Sequence, residues 1–238
     1  GRALKKRVIT IVAAFGFFLG AFVTSSAMAG NLGIGIMGSG LHIATSGNET
    51  NTSSDQVNSS DQTHSGALAS IFAEYSIGDQ DHHGMTFGIS YSPMRAQIGS
   101  GERGDTASDA NDPGSADAGT YTAEADISGH TTIYIEPTFM PTDNFGLYLK
   151  GGVSRVIVQS LESITFGEDS SAYGDETVLG GMFGLGAKVV HDSGLMFKLE
   201  YTKTIYETVK MTSTSGNKNI ISADPEIEAF RLAIGYQF

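Results

Sequence analysis

The chain has 238 residues, of which 40% are hydrophobic, and its 14 Lys and Arg against 26 Asp and Glu give a formal net charge of −12. An acidic chain is repelled by a phosphate backbone, so the composition argues against a nucleic-acid partner. The chain contains no cysteine, which excludes disulfides, a thiol nucleophile and a thiolate metal site.

The first 29 residues have the pattern of a secretory signal peptide. A basic leader precedes an apolar run over residues 8–23, and small residues follow up to Ala27-Met28-Ala29. This run is shorter than the roughly 20 residues that a spanning helix needs, although an uncleaved helical anchor is the alternative interpretation. We predict cleavage after Ala29, with Ala27 and Ala29 as the cleavage-site residues and 30–238 as one exported domain. Because the chain begins with Gly1 and not with Met, we expect the translation start to lie upstream.

After this leader, apolar and polar positions alternate in one segment after another. In 121–139 the odd positions are largely apolar, and the even positions carry four ionisable groups. Strand side chains point alternately to opposite faces, so each segment has one apolar and one polar face. In chain order, the predicted strands cover 31–44, 67–77, 85–92 (extending towards 98), 121–139, 147–154, 179–189, 195–201 and 230–238.

Long and short connections alternate between these eight strands. The predicted polar loops cover 45–64, 99–119, 162–176 and 207–224, and the short turns cover 78–84, 141–144 and 191–194. Nothing helical is available to cover so many apolar faces. Lipid is the simplest solvent for them, with the polar faces turned inward. We therefore predict an all-β fold, an eight-stranded antiparallel up-and-down transmembrane β-barrel; the alternative is a water-soluble β-domain with a dry interior.

The chain resembles the small OmpA/OmpX-type and opacity-type outer-membrane barrels of Gram-negative bacteria. The resemblance rests on the export signal, the eight-strand pattern and the terminal Tyr236-Gln237-Phe238, and it covers 30–238 as an architecture. It implies a location in the bacterial outer membrane. It also implies that barrel-assembly machinery reads Tyr236 and Phe238 as an assembly signal.

Ten ionisable residues fall on inward-facing positions. An eight-stranded barrel is about wide enough for its side chains to fill its interior, and buried charges must be paired. We predict a lumen network of salt bridges that forms a solid plug, and the alternative is a narrow polar path or a gate made by switching partners. The predicted network consists of Glu74, Glu124, Asp126, His130, Glu136, Lys150, Lys188, Lys198, Glu200 and Arg231.

The lipid-facing positions should end in aromatic girdles at the two interfaces. The rings near the short turns are Tyr75, Phe87, Phe139, Phe145, Phe197 and Phe238, and those towards the loops are Tyr91, Tyr121 and Tyr201. Arg155 and Lys203 share the lipid-facing parity near the loop ends, where lipopolysaccharide phosphates lie.

Other motifs carry less weight. The glycines of 33–38 match a dinucleotide-binding pattern, but they lie inside a strand and open no helix. Asp79, Asp81, His82 and His83 form a metal-like cluster on one turn, which we interpret as a solvated turn, and we predict no cofactor or metal site.

The second and third loops are densely acidic, which favours solubility, with bound divalent cations as the alternative.

We predict a non-enzymatic surface barrel with long acidic loops and a structural or interaction role, in envelope integrity or adhesion. A narrow porin or a channel for small hydrophobic solutes is the alternative. A lipid-modifying barrel enzyme ranks third, with His42, His64 and His130 as its candidate bases. The expected partners are outer-membrane lipid, lipopolysaccharide, the assembly machinery and divalent cations at the acidic loops.

Overall fold

A computed structural model describes residues 30–51, 56–78, 82–105, 119–164, 175–212 and 219–238. Its strands are β1 (Gly30–Asn51), β2 (Gln56–Gly78), β3 (His83–Ser92), β4 (Ala96–Asp105), β5 (Gly119–Phe139), β6 (Phe145–Ile164), β7 (Glu176–Val190), β8 (Leu195–Tyr206), β9 (Val209–Thr212) and β10 (Asn219–Gln237). Within these residues, no helix is long and apolar enough to cross a membrane. The predicted signal peptide lies outside the described residues, and its cleavage stays a prediction.

The strands form one closed antiparallel sheet. The order around the wall is β1, β2, β3, β5, β6, β7, β8 and β10, and β1 pairs with β10 from Gly33 opposite Gln237 to Asn51 opposite Asn219. The strands β3 and β4 together occupy one position in the wall, and β8 and β9 occupy another. The predicted eight-stranded barrel is therefore confirmed. Within the apolar band each described strand is paired on both sides, which is what a sheet in lipid requires.

The apolar faces point outward. Ile133, Leu149, Leu185 and Ile234 are 48%, 65%, 59% and 42% exposed, so they do not meet in a dry interior. On β10 the outward apolar positions run from Phe238 to Phe230, a span of about 20 Å for a strand tilted by about 40°. This span is close to the roughly 25 Å apolar band of an outer-membrane barrel.

Exposed aromatic rings lie near both ends of this band. Six of the predicted girdle residues are well exposed. The one towards the loops is Tyr91, and those towards the short turns are Tyr75, Phe139, Phe145, Phe197 and Phe238. Phe87 and Tyr201 are half-buried. The side chain of Tyr121 lies outside the described residues.

Beyond the apolar band the two faces exchange character. Outward positions become polar, as at His42, Ser65 and Glu228, which are exposed or half-buried. Inward positions become apolar, as at Leu41 and Leu68, which are 6% and 7% exposed. This is the pattern of a water-soluble barrel, so the outer part of the wall stands in water above the lipid.

The wall extends further than its composition predicts. The predicted loop 45–64 is mostly paired strand, since Thr45 lies opposite Gln62 and Asn51 lies opposite Gln56. Likewise, β4 enters the predicted loop 99–119, while β9 and the start of β10 enter 207–224. Ser and Thr tolerate strand geometry, and a strand that is polar on its water-facing side shows little alternation. The prediction of long irregular loops was therefore wrong over these stretches.

One bulge changes the parity of β5. Ser128 pairs with Ile157 and Thr131 pairs with Arg155, so β5 contains one residue more than β6 between these pairs. Gly129 absorbs the extra residue with φ of 59°. The bulge turns Ile127 inward, where it is only 3% exposed, and leaves Asp126 half-exposed. The predictions of an outward Ile127 and an inward Asp126 were therefore wrong, because they assumed that side chains alternate between the two faces without interruption, and the bulge reverses this alternation.

Replacing Gly129 with Ala should destabilise the barrel by about 1–2 kcal/mol, because an L-residue at this φ is strained. A Cβ at this position would lie 3.4 Å from the Ile157 Cδ1 atom, so space is not the obstacle. Gly151→Ala is the matched control, because its Cβ would meet nothing within 4 Å. Urea unfolding in lipid vesicles measures both changes, and equal stabilities of the two variants would contradict the bulge assignment.

Candidate functional site: the barrel lumen

Two lysines and three glutamates form a charged layer across the middle of the lumen. The Lys198 Nζ lies 2.9 Å from Glu74 Oε2 and 2.6 Å from Glu136 Oε1. The Lys150 Nζ lies 3.2 Å from Glu136 Oε2 and 2.9 Å from Glu200 Oε2. Glu136 therefore joins the two ammonium groups, and the layer is one connected network that links β2, β5, β6 and β8.

Two tyrosines fill the space around these charges. The Tyr134 hydroxyl donates a hydrogen bond to Glu74 Oε2 at 2.9 Å, and the Lys150 Nζ lies 3.8 Å from the centre of the Tyr134 ring. The Tyr148 ring lies 4.9 Å from the Lys198 Nζ. Lipid surrounds this part of the wall, so these contacts replace water that the charges would otherwise bind. Both tyrosines share the inward parity of the predicted charges, and that parity was a signal that could have found them.

The remaining predicted residues lie at other levels of the barrel. Lys188 lies below the charged layer, towards the short turns, and is 5% exposed. Arg231 lies above it and donates to the Met182 sulfur at 3.8 Å, while its Nε has no partner among the described residues. His130 Nε2 lies 3.0 Å from the Tyr206 hydroxyl. The side chain of Glu124 lies outside the described residues, and Asp126 is on the outer face of the bulged strand.

An apolar cluster closes the outer end of the lumen. Ile43, Val156 and Tyr206 are each no more than 1% exposed. Sequence reasoning missed this layer because it treated all inward positions as polar. The cluster consists of Leu41, Ile43, Leu68, Ala96, Ile127, Val156, Val158, Val178, Tyr206, Val209, Ile227 and Ala229.

The candidate metal ligands and catalytic bases lie in different parts of the described wall. No group of three or more His, Asp and Glu side chains there is placed to hold a metal ion. Among the candidate bases, the His130 ring is hydrogen-bonded to a tyrosine hydroxyl. His42 is exposed on the outer face of the wall, directly opposite Ser65 on β2 and Glu228 on β10. His64 is half-buried, and its Nδ1 has no hydrogen-bond partner among the described residues. The metal-like cluster of the first turn lies partly outside the described residues, since Asp79 and Asp81 are not among them.

The predicted assembly signal lies at the closing seam of the barrel. Tyr236 and Phe238 are 44% and 66% exposed, and their ring centres are 5.1 Å apart at 71°. The Phe238 amide donates a hydrogen bond to the Leu32 carbonyl oxygen. Their recognition by assembly machinery stays a prediction.

The closed wall, its apolar band and its charged interior define a transmembrane β-barrel. The sequence profile of the outer membrane protein beta-barrel domain matches residues 13–238, and the chain belongs to this family. The protein is therefore located in the bacterial outer membrane. The resemblance to small outer-membrane barrels is confirmed.

Solved outer-membrane proteins match the chain at low sequence identity. Ail, the attachment invasion locus protein of Yersinia pestis, is 12% identical over 86% of this chain and 99% of its own, with a TM-score of 0.39. The outer membrane protein AlkL is 14% identical over 90% and 93%, with a TM-score of 0.41. The Escherichia coli outer membrane protease OmpT is 11% identical over 87% and 97%, with a TM-score of 0.42. No curated protein matches the chain.

Replacing Lys198 with Met should cost about 3–5 kcal/mol of unfolding free energy, because it leaves the Glu74 carboxylate buried without a cation. Adding Glu74→Gln should recover part of this loss. Lys203→Met is the control, since it breaks a partly exposed pair with Glu226 at 3.2 Å that is worth at most about 1 kcal/mol. Urea titration of the folded barrel in vesicles compares the three variants, and similar losses from Lys198→Met and Lys203→Met would argue against a stabilising network.

Proposed function

We propose that the protein is a non-conducting, non-enzymatic surface barrel whose role is structural or adhesive. The observation that carries this proposal is the filled lumen. Two layers of different chemistry block it in series, the charged network in the middle and the apolar cluster at the outer end. Each opposes a different class of solute.

The charged layer leaves little room for water or ions. Glu136 and Thr132 are both 0% exposed, as are Ser154 and Thr202. The Thr132 and Ser154 hydroxyls are hydrogen-bonded to each other at 2.8 Å. An ion passing this level would have to break contacts that already compensate the buried charges, which costs several kcal/mol.

The apolar layer opposes polar solutes for a separate reason. Its side chains offer no replacement for a hydration shell, so an ion that entered it would lose that shell without compensation. Apolar solutes would meet filled space and not a channel, since Ile43 and Val156 are 0% and 1% exposed. This packing favours the surface-barrel function over the porin and the hydrophobic-solute channel.

The part of the wall above the lipid supports a role in display. The β1–β2 hairpin continues as paired strands to Asn51 and Gln56, more than ten residues beyond the last outward Ile of β1. The paired strands thus hold the outer end of the barrel above the membrane surface. The acidic loops, which lie mostly outside the described residues, would extend from this end towards cations or partner molecules.

The rim of the apolar band offers contacts to lipopolysaccharide. Arg155 is exposed on the outer face of β6, level with the rim, and Lys203 lies next to Glu226. A guanidinium group here can pair with phosphate groups of the outer leaflet. Divalent cations would bridge the same phosphates to the acidic loops.

Reconstitution in planar lipid bilayers tests the proposal. The protein should produce no stepwise current at an applied voltage, while a general porin reconstituted by the same procedure gives clear steps. Liposomes that contain the protein should likewise swell in sugar solutions no faster than lipid alone. Discrete conductance steps or sugar-dependent swelling would contradict a filled lumen. Incubation with lipopolysaccharide or phospholipid should leave the lipid chemically unchanged.

A further inference from the structure

The periplasmic end of the lumen opens into a pocket of about 350 Å³. Short turns surround it, and it lies below the charged layer, on the side away from the apolar cluster. Its polar lining includes Lys188, Ser76, Thr86, His82 and Asp143. Unlike the levels above it, this part of the lumen is not filled by side chains of the described residues.

Lys188 is the buried cation of this pocket. It is 5% exposed, so nearly all of its side chain is removed from solvent. Among the residues that the structure describes, no carboxylate forms an ion pair with it. Lipid covers the outside of β7, so the pocket is the open route from this ammonium group to water.

The carboxylates that attract this charge, those of Glu74 and Glu136, form their ion pairs with other lysines. Lys188 lies directly opposite Lys198 on β8 and opposite Gly146 on β6. The Lys198 ammonium already engages Glu74 and Glu136. Among the described residues, the buried lumen side chains comprise three carboxylates, those of Glu74, Glu136 and Glu200, against four cationic groups, those of Lys150, Lys188, Lys198 and Arg231. The formal charge of this described set is therefore positive, and Lys188 is its cationic member nearest the periplasm.

Two hydroxyl groups that line the same pocket as Lys188 can donate hydrogen bonds into it. The Ser76 and Thr86 hydroxyl oxygens lie 2.9 Å apart. Each hydroxyl carries one hydrogen, so whichever group donates to the other, the acceptor keeps its own hydrogen for a third partner. An ammonium group and a free hydroxyl hydrogen that line one pocket are a donor set suited to an anion with several oxygens.

The backbone at the pocket rim is held in an uncommon conformation. His82 has φ of 64°, and its carbonyl oxygen accepts a hydrogen bond of 2.7 Å from the Met140 amide. This bond continues the pairing of β3 with β5 by one residue beyond His83 opposite Phe139, at the rim of the pocket. Asp143 is exposed in the second turn, where water solvates its carboxylate, so it is not a buried counter-ion for Lys188.

We propose that this pocket binds a small oxyanion, a carboxylate or a phosphate group, with the Lys188 ammonium as its principal charged contact. A pocket of this size holds one such group with a short substituent and not an extended chain. The bound oxyanion would balance the charge that the protein leaves unpaired. The site is separate from the surface function, because its opening faces the periplasm and the lumen above it is filled.

Titration calorimetry on the folded barrel in zwitterionic nanodiscs tests the site with two probes, inorganic phosphate and acetyl-D-alanine. We expect saturable binding of at least one probe to the wild-type protein, and the tighter probe identifies the anion class. Lys188→Met should weaken this binding by about 10- to 100-fold, the loss expected for a hydrogen bond to a charged group. Lys188→Arg keeps the charge and should retain most of the affinity.

Lys210→Met is the matched control, because it removes the same charge from an exposed position at the outer end of the barrel. It should bind the probe as the wild-type protein does. Lys188→Met removes an unpaired charge and exposes no new one, so we expect it to fold, and its circular dichroism spectrum verifies this. Absence of saturable binding of both probes by the wild-type protein would overturn the proposal, whatever the variants do. Equal binding by Lys188→Met and Lys210→Met would overturn it as well.

Discussion

The ammonium group of Lys198 is the contact on which the polar interior depends. It neutralises Glu74 and Glu136 together, and Glu136 in turn holds Lys150. A barrel in lipid has to turn its polar face inward, where the charges lose bulk water. The network provides the partners that water would have provided. The wall can therefore be apolar outside only because these few side chains satisfy one another inside.

The same constraint explains why the interior changes character along the barrel axis. Where lipid surrounds the wall, apolar residues belong outside and the interior is polar. Where water surrounds the wall, the opposite arrangement is stable, and Ile43 and Val156 form part of a dry core. One continuous sheet thus combines a membrane barrel with a water-soluble one. The boundary between them marks the outer surface of the bilayer.

Much of this fold could be predicted from alternation alone, because parity in a strand is strict. Alternation of apolar and polar residues predicts the eight strands and their short turns. It also predicts that Leu149 and Ile234 point outward. The assignment of faces was wrong around Gly129, because nothing in the sequence distinguishes a bulge glycine among 31 glycines. The strand ends were also wrong, because both faces of the polar extensions carry Ser, Thr and Asn and show no apolar alternation.

The candidate site was less accessible to sequence reasoning. Parity identifies which charges point inward, but it does not say which of them are in contact. Glu74 and Lys198 are 124 positions apart, and only closure of the barrel brings them together. For the same reason alternation could not indicate that Lys188 lies beside an open pocket without an ion-pair partner among the described residues.

The direction of the apolar face can be measured directly, because a chain without cysteine accepts single spin labels at chosen positions. Labels at Ile133, Leu149, Leu185 and Ile234 in vesicles should be accessible to oxygen, which enters lipid, and protected from a water-soluble nickel chelate. A label at Val156, inside the wall, should be shielded from both reagents. If the first four labels were also shielded from both, these residues would lie in a dry interior, and the membrane barrel would be contradicted.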